Sequence, residues 1–198
     1  MKQDIADRFA LNIARVKNLI AIYRNLLAGQ GPGRRGHQVT DVLRAATVLL
    51  HASVEDVLRS IAYWKLPMAG TQVLDQIPFV GGTAVKITLG SLSAQRGKSV
   101  DDVIKESVDA TLERSNYNNA VEVCFLLKSI GLDTVAVQPY LQQLEVAMKR
   151  RHQIVHRADA NPNNVGRGNH RVASIAPATV DAWVINTEQF VQAVLAQV

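Results

Sequence analysis

Residues 40–61 read TDVLRAATVLLHASVEDVLRSI, and within them Leu43, Ala46, Leu50, Val54, Val57 and Ile61 recur at steps of three and four. That spacing returns an apolar side chain to one side of each 3.6-residue turn, so the stretch is a helix with one buried face. Thr40 offers the hydroxyl of an N-cap, and Pro67 stops the run just beyond Trp64. Upstream, residues 2–28 read as a first helix, ended by the turn chemistry of GQGPGRRG at 29–36. Downstream, FVGGTAVKITLGSL at 79–92 holds too many glycines and β-branched residues for a regular helix, so 66–98 is expected to be an irregular insertion with a short strand or helix. Ser99 then caps a helix with Asp101 and Asp102 in its first turn, running to about Glu113. SNYNN at 115–119 breaks it, and a short apolar helix follows over 120–130 with Gly131 at its C′ position. A further helix starts around Pro139, a loop spans 159–169, and Pro177 opens a last helix through Trp183, Ile185, Phe190, Val191 and Leu195. The expected fold is all-α: a single domain over 1–198, a bundle of five to six helices.

Composition narrows the class. With 47% hydrophobic and 20% charged residues, the 198-residue chain can bury its own core. A lone cysteine, Cys124, sits in the apolar AVEVCFLL and reads as core; it can form neither an internal disulfide nor a thiolate cluster. The first residues lack a secretory apolar region, and no apolar run is long enough to span a membrane, so a cytoplasmic setting is expected. The net charge of +5 is mild, but Lys149, Arg150, Arg151 and Arg157 fall within nine residues that contain no acid. Arg167 and Arg171 follow, and no Lys or Arg occurs from Val172 onward. Such a cluster makes a focused field that scattered charge does not.

The cluster ends PYLQQLEVAMKRRHQIVHRAD, residues 139–159, where Leu141, Leu144, Met148 and Val155 form one helical stripe. Arg151 and His156, five residues apart, are about 140° apart around the axis and are expected to straddle that stripe, with His152 at its edge. An imidazole moves protons near neutral pH, and a guanidinium holds a phosphate and stabilises a pentacoordinate transition state. With RNA the nucleophile is the substrate's own 2′-hydroxyl, so no metal is required; the products are a 2′,3′-cyclic phosphate and a 5′-hydroxyl. Plainer readings stand beside this one. Basic residues in a last turn complement the helix dipole. A patch can bind RNA without cutting it. The pair His152 and His156 lacks the Glu of a zinc HExxH and a third ligand, so no metal is expected. Elsewhere Glu55 reads as a surface i,i+4 pair with Arg59, the alternative being that it neutralises the Arg/His cluster across the bundle. Asn116, Asn118 and Asn119 read as turn residues ahead of substrate contacts, and Trp64 and Trp183 as packing, with Tyr63-Trp64 stacking a base as the alternative. Gly97-Lys98-Ser99 is not a phosphate loop, because that pattern needs Gly where Leu92 stands.

Arg151 through His156 fits the R-x(4–6)-H pattern of the HEPN superfamily, and counting from Arg150 gives an x5 alternative. RRHQIVHRAD resembles the RiboL-PSP-HEPN branch, as do residues 43–61, with an acid at Glu55, and the final helix at 175–195. The resemblance covers about half the chain. It implies a helical bundle that dimerises with two R-x4-H segments facing each other, and a metal-independent endoribonuclease, often a toxin or defence effector. His156 is then the general acid/base and Arg151 the transition-state stabiliser. Many active members carry a polar residue, often Asn, just after the Arg; here His152 stands there, able to orient the phosphate. Lys149, Arg150 and Arg157, with Arg167 and Arg171, are the expected phosphate contacts. No cofactor is implied; the implied partners are RNA, a second copy, and an antitoxin or other protein. The alternatives are a non-catalytic HEPN module that binds RNA, a nucleotide or a protein, and a purely structural helical adaptor.

Overall fold

The computed structural model describes residues 1–27, 37–80, 82, 87–160 and 172–198, and every regular element among them is helical. α1 (Lys2–Ile22) runs into a π-helical turn (Tyr23–Leu27), and α2 (His37–Lys65) gives way to a 3-10 turn (Leu66–Met68) that carries Pro67. Two one-turn helices, α3 (Thr71–Leu74) and α4 (Leu89–Ser93), lie in the expected insertion. α5 (Val100–Arg114), α6 (Ala120–Ser129), α7 (Gln138–Arg157) and α8 (Pro177–Leu195) complete the bundle. Six helices of ten or more residues therefore carry the fold, as the periodicity implies. The described insertion takes the helical option.

Local chemistry fixes most of the ends. Ser99 Oγ accepts the Asp102 N–H while the Asp102 carboxylate accepts the Ser99 N–H, closing the first turn of α5 as a capping box. α6 is capped by Asn119 Oδ1 on the Glu122 N–H and ends at Gly131, whose φ of +75° lets Leu132 N–H reach back to Leu127 O. Thr40 is the exception. α2 starts three residues earlier, and the Thr40 hydroxyl accepts Nη1 of Arg44 at 2.6 Å, so it is not the N-cap.

α2 is the central rod, packed by α1, α5, α7 and α8. Its Leu43, Ala46, Leu50, Val54, Val57 and Ile61 are buried, as the pattern requires. α1 meets them with Ile5, Phe9, Ile13, Val16 and Ile20, and α8 with Val180, Val184, Phe190, Val191 and Val194. Trp183 is buried, whereas Cys124 is only half-buried beside the buried Val123 and Leu127, so it is not the core residue its context implies. Among the described residues no helix is long and apolar enough to cross a membrane.

Candidate active site

α7 enters the bundle through Leu144, Ala147 and Met148. Arg151 follows these by seven, four and three residues, so the buried face itself delivers it to the interior. This corrects the expected arrangement: Arg151 lies on the axis of the buried face, not on its shoulder. Val155, expected in the stripe, is 49% exposed because the last turn of α7 outruns the packing. His156 lies in that last turn and faces solvent.

Arg151 is 19% exposed and held from two sides. Its Nη1 donates to Asn118 Oδ1 at 3.1 Å, and its Nη2 lies 3.9 Å from Glu55 Oε2. Asn118, in the break between α5 and α6, is thus more than a turn residue. Glu55 is not paired with Arg59, which donates instead to the Ser115 carbonyl at 2.7 Å. The other Glu55 oxygen lies 3.4 Å from Nε2 of the buried His51. Burial pushes the Glu55 carboxyl up, but the facing imidazole, the Arg151 charge and the Tyr117 N–H outweigh it and hold the group below its ordinary value. Tyr117 closes the floor, with its hydroxyl buried and its pKa pushed up to about 12 by that burial.

On the outer side of α7, His152 and His156 stack one turn apart, with ring centroids 4.6 Å apart and planes tilted by 41°. Lys149 precedes them on the same ridge, 74% exposed, with Nζ 3.1 Å from Glu145. Glu145 also accepts the Ala120 N–H at 2.6 Å, which holds its carboxyl below the ordinary value and ties α6 to α7. Arg157 is exposed at the tip. Arg151, the two imidazoles, Lys149 and Arg157 thus share one end of α7. Within one chain, however, Arg151 points into the bundle and His156 away from it.

Arg150 has a different occupation from the one expected. It is half-buried, and its Nη2 donates to Asp159 Oδ2 at 2.8 Å and to the carbonyls of Ala173 at 3.0 Å and Ser174 at 3.2 Å. Burial lowers its pKa, with the Asp159 charge opposing that shift. Its Nη2 is thus engaged within the fold and not turned to solvent, unlike the exposed Lys149 and Arg157. Arg167 and Arg171 lie outside the described residues. Among the described residues no group of three or more His, Cys, Asp or Glu side chains could hold a metal ion.

Sequence reading missed Arg44, His51 and Asp159. The first two had a signal: Arg44, His51 and Glu55 are spaced by seven and four, a polar stripe along an otherwise apolar helix.

Comparison with protein-family models, curated proteins and solved structures finds no match to this chain.

Proposed function

We propose that the chain is a metal-independent endoribonuclease of the HEPN kind, working as a symmetric pair in which Arg151 and His156 of two copies form one cleft. The observation that carries this reading is the end of α7. There a positioned, partly accessible guanidinium and two exposed imidazoles share about two and a half turns of helix with Lys149 and Arg157. Val155, uncovered between them, supplies apolar surface for a second copy to bury.

In the reaction the RNA 2′-oxygen attacks the adjacent phosphorus. One His156 takes the 2′-hydroxyl proton, the P–O5′ bond breaks, and the His156 of the other copy delivers a proton to the departing O5′. Arg151 stabilises the charge that builds on the non-bridging oxygens, an effect worth on the order of 10²–10³ in rate. General acid/base catalysis contributes on the order of 10²–10⁴. Lys149, His152 and Arg157 hold flanking phosphates.

The test is incubation with mixed RNA in excess EDTA. Wild type cuts to cyclic-phosphate ends, while Arg151→Ala and His156→Ala do not. Cleavage that survives in both variants, or none by wild type, overturns the reading. Toxicity on expression, lost with His156→Ala, tests the toxin or defence role. Co-purification of a protein that relieves that toxicity tests for an antitoxin.

A second reading, a non-catalytic module that binds RNA, a nucleotide or a protein, draws on the partial neutralisation of Arg151 by Glu55. Salt-dependent RNA binding without cleavage would establish it.

A further inference from the structure

α2 and α7 meet along a polar seam that begins at Glu55 and Arg151, passes the buried His51, and ends about 16 Å along α2 at Arg44. Asp159, 1% exposed, closes the far end. Its Oδ2 accepts Nε of Arg44 at 2.6 Å and Nη2 of Arg150 at 2.8 Å. The same two guanidiniums converge on the Ala173 carbonyl, Arg44 at 2.9 Å and Arg150 at 3.0 Å. Arg44 is further held by Thr40 and by Asp41 at 3.1 Å.

The backbone bends to place this carboxylate. Ala158 and Asp159 are both left-handed, at φ +46° and +57°, a conformation uncommon for alanine and better tolerated by aspartate, and one that ends the helix. Gln153 accepts the Asp159 N–H at 3.1 Å and donates Nε2 to the Ala160 carbonyl at 2.8 Å, wrapping the chain back over the last turn. The Ala173 N–H donates to the Asp159 carbonyl at 3.0 Å, and Ala160 pairs with Val172. The turn that carries His156 would otherwise be a helix terminus free to fray. Instead it is bracketed by Arg150, one and a half turns before it, and by Asp159 just after it.

We infer that Asp159 is a positioning residue: by drawing Arg44 of α2 and Arg150 of α7 onto one carboxylate oxygen, it fixes the end of α7 and so sets where His156 stands relative to Arg151. This rests on the reading of His156 as the proton-transfer group. Asp159 touches no reacting atom. It acts through the helix end, while Glu55 performs the same service for Arg151 from the other end of the seam. A displacement of a reacting group by about 1 Å costs on the order of a hundredfold in rate.

The experiment compares wild type, Asp159→Asn and Arg44→Lys as full-length protein, well below their melting temperatures. Asp159→Asn removes the charge at constant shape. Arg44→Lys keeps the charge but loses the fork that spans Asp159 and Ala173, and it decides the matter if Asp159→Asn does not fold. Two readouts are taken: the nuclear Overhauser contact between the His152 and His156 rings, and kcat against KM for RNA cleavage. The expected result is loss of the ring contact, with kcat down about a hundredfold and KM within about twofold. A lower melting temperature with the ring contact and kcat retained overturns the inference and leaves the clamp a purely stabilising device. If wild type cuts no RNA, the catalytic reading falls, and the ring contact still decides whether Asp159 positions His156.

Discussion

Replacing Glu55 by Gln keeps the shape of the side chain, and its acceptor for the Tyr117 N–H, while removing the charge that faces Arg151 and His51. At the 3.9 Å between Glu55 Oε2 and Arg151 Nη2, the attraction is worth about 4 kcal/mol at an effective dielectric near 20 and about 1 kcal/mol in bulk water. Removing the carboxylate also removes its desolvation penalty, so the net loss at neutral pH is expected at about 1–3 kcal/mol. For a domain of this size that is a fall in Tm of about 3–10 °C. The sign with pH follows from the lowered Glu55 pKa. A carboxyl held below its unfolded value stabilises fully above that value and loses the contribution as pH falls through the folded one. Urea titrations of wild type and Glu55→Gln should therefore differ at pH 7 and converge toward pH 3. A double-mutant cycle with Arg151→Gln isolates the pair. A coupling below about 0.3 kcal/mol, within the ordinary error of additivity, would refute the pairing. So would a stability gap of equal size at both pH values.

The outer ridge and the inner clamp should respond differently to charge removal. Lys149→Ala and Arg157→Ala are each expected to leave Tm within about 2 °C and to lower the salt dependence of RNA binding by about one unit of slope. Arg150→Met should leave that slope alone and cost about 3 kcal/mol in denaturant titration, the low end for breaking a buried ion pair, because Arg44 still covers Asp159. Ser99→Ala removes one side of the α5 capping box and should cost about 1 kcal/mol in the same titration, with no change in RNA binding.

What the sequence made legible is what depends on neighbours in the chain. Ser99, Gly131 and Pro177 mark helix ends because the groups they serve lie within a few residues. The buried faces of α1 and α2 follow from their periods for the same reason. The misreadings share a different cause. Thr40 has the chemistry of a cap, yet Arg44 one turn later takes its hydroxyl. Glu55 has Arg59 at helical spacing, but folding brings it Arg151 from the far end of the chain, and a partly buried partner outweighs a solvated one. Periodicity placed Arg151 and His156 at the correct angle to each other, but it carries no record of where the bundle ends, and that decides which of the two is enclosed. Arg150 and Arg151 are adjacent and alike in the sequence. Their partners in the fold distinguish them: Asp159 and the Ala173 and Ser174 carbonyls for Arg150, Asn118 and Glu55 for Arg151.

The central position of α2 has a consequence for how the molecule breathes. The amides in the middle of a rod packed by α1, α5, α7 and α8 are expected to exchange with solvent through large-scale opening of the bundle, not through fraying at its ends. The short insertion helices α3 and α4, which contribute no fully buried residue, open locally at far lower cost. Glu55 and Arg44 thus stand on the helix that packs against the most neighbours. The residues they hold, Arg151 and Asp159, come from a helix end and the turn beyond it, where local opening is otherwise easiest. The seam transfers the stability of the centre to its edge.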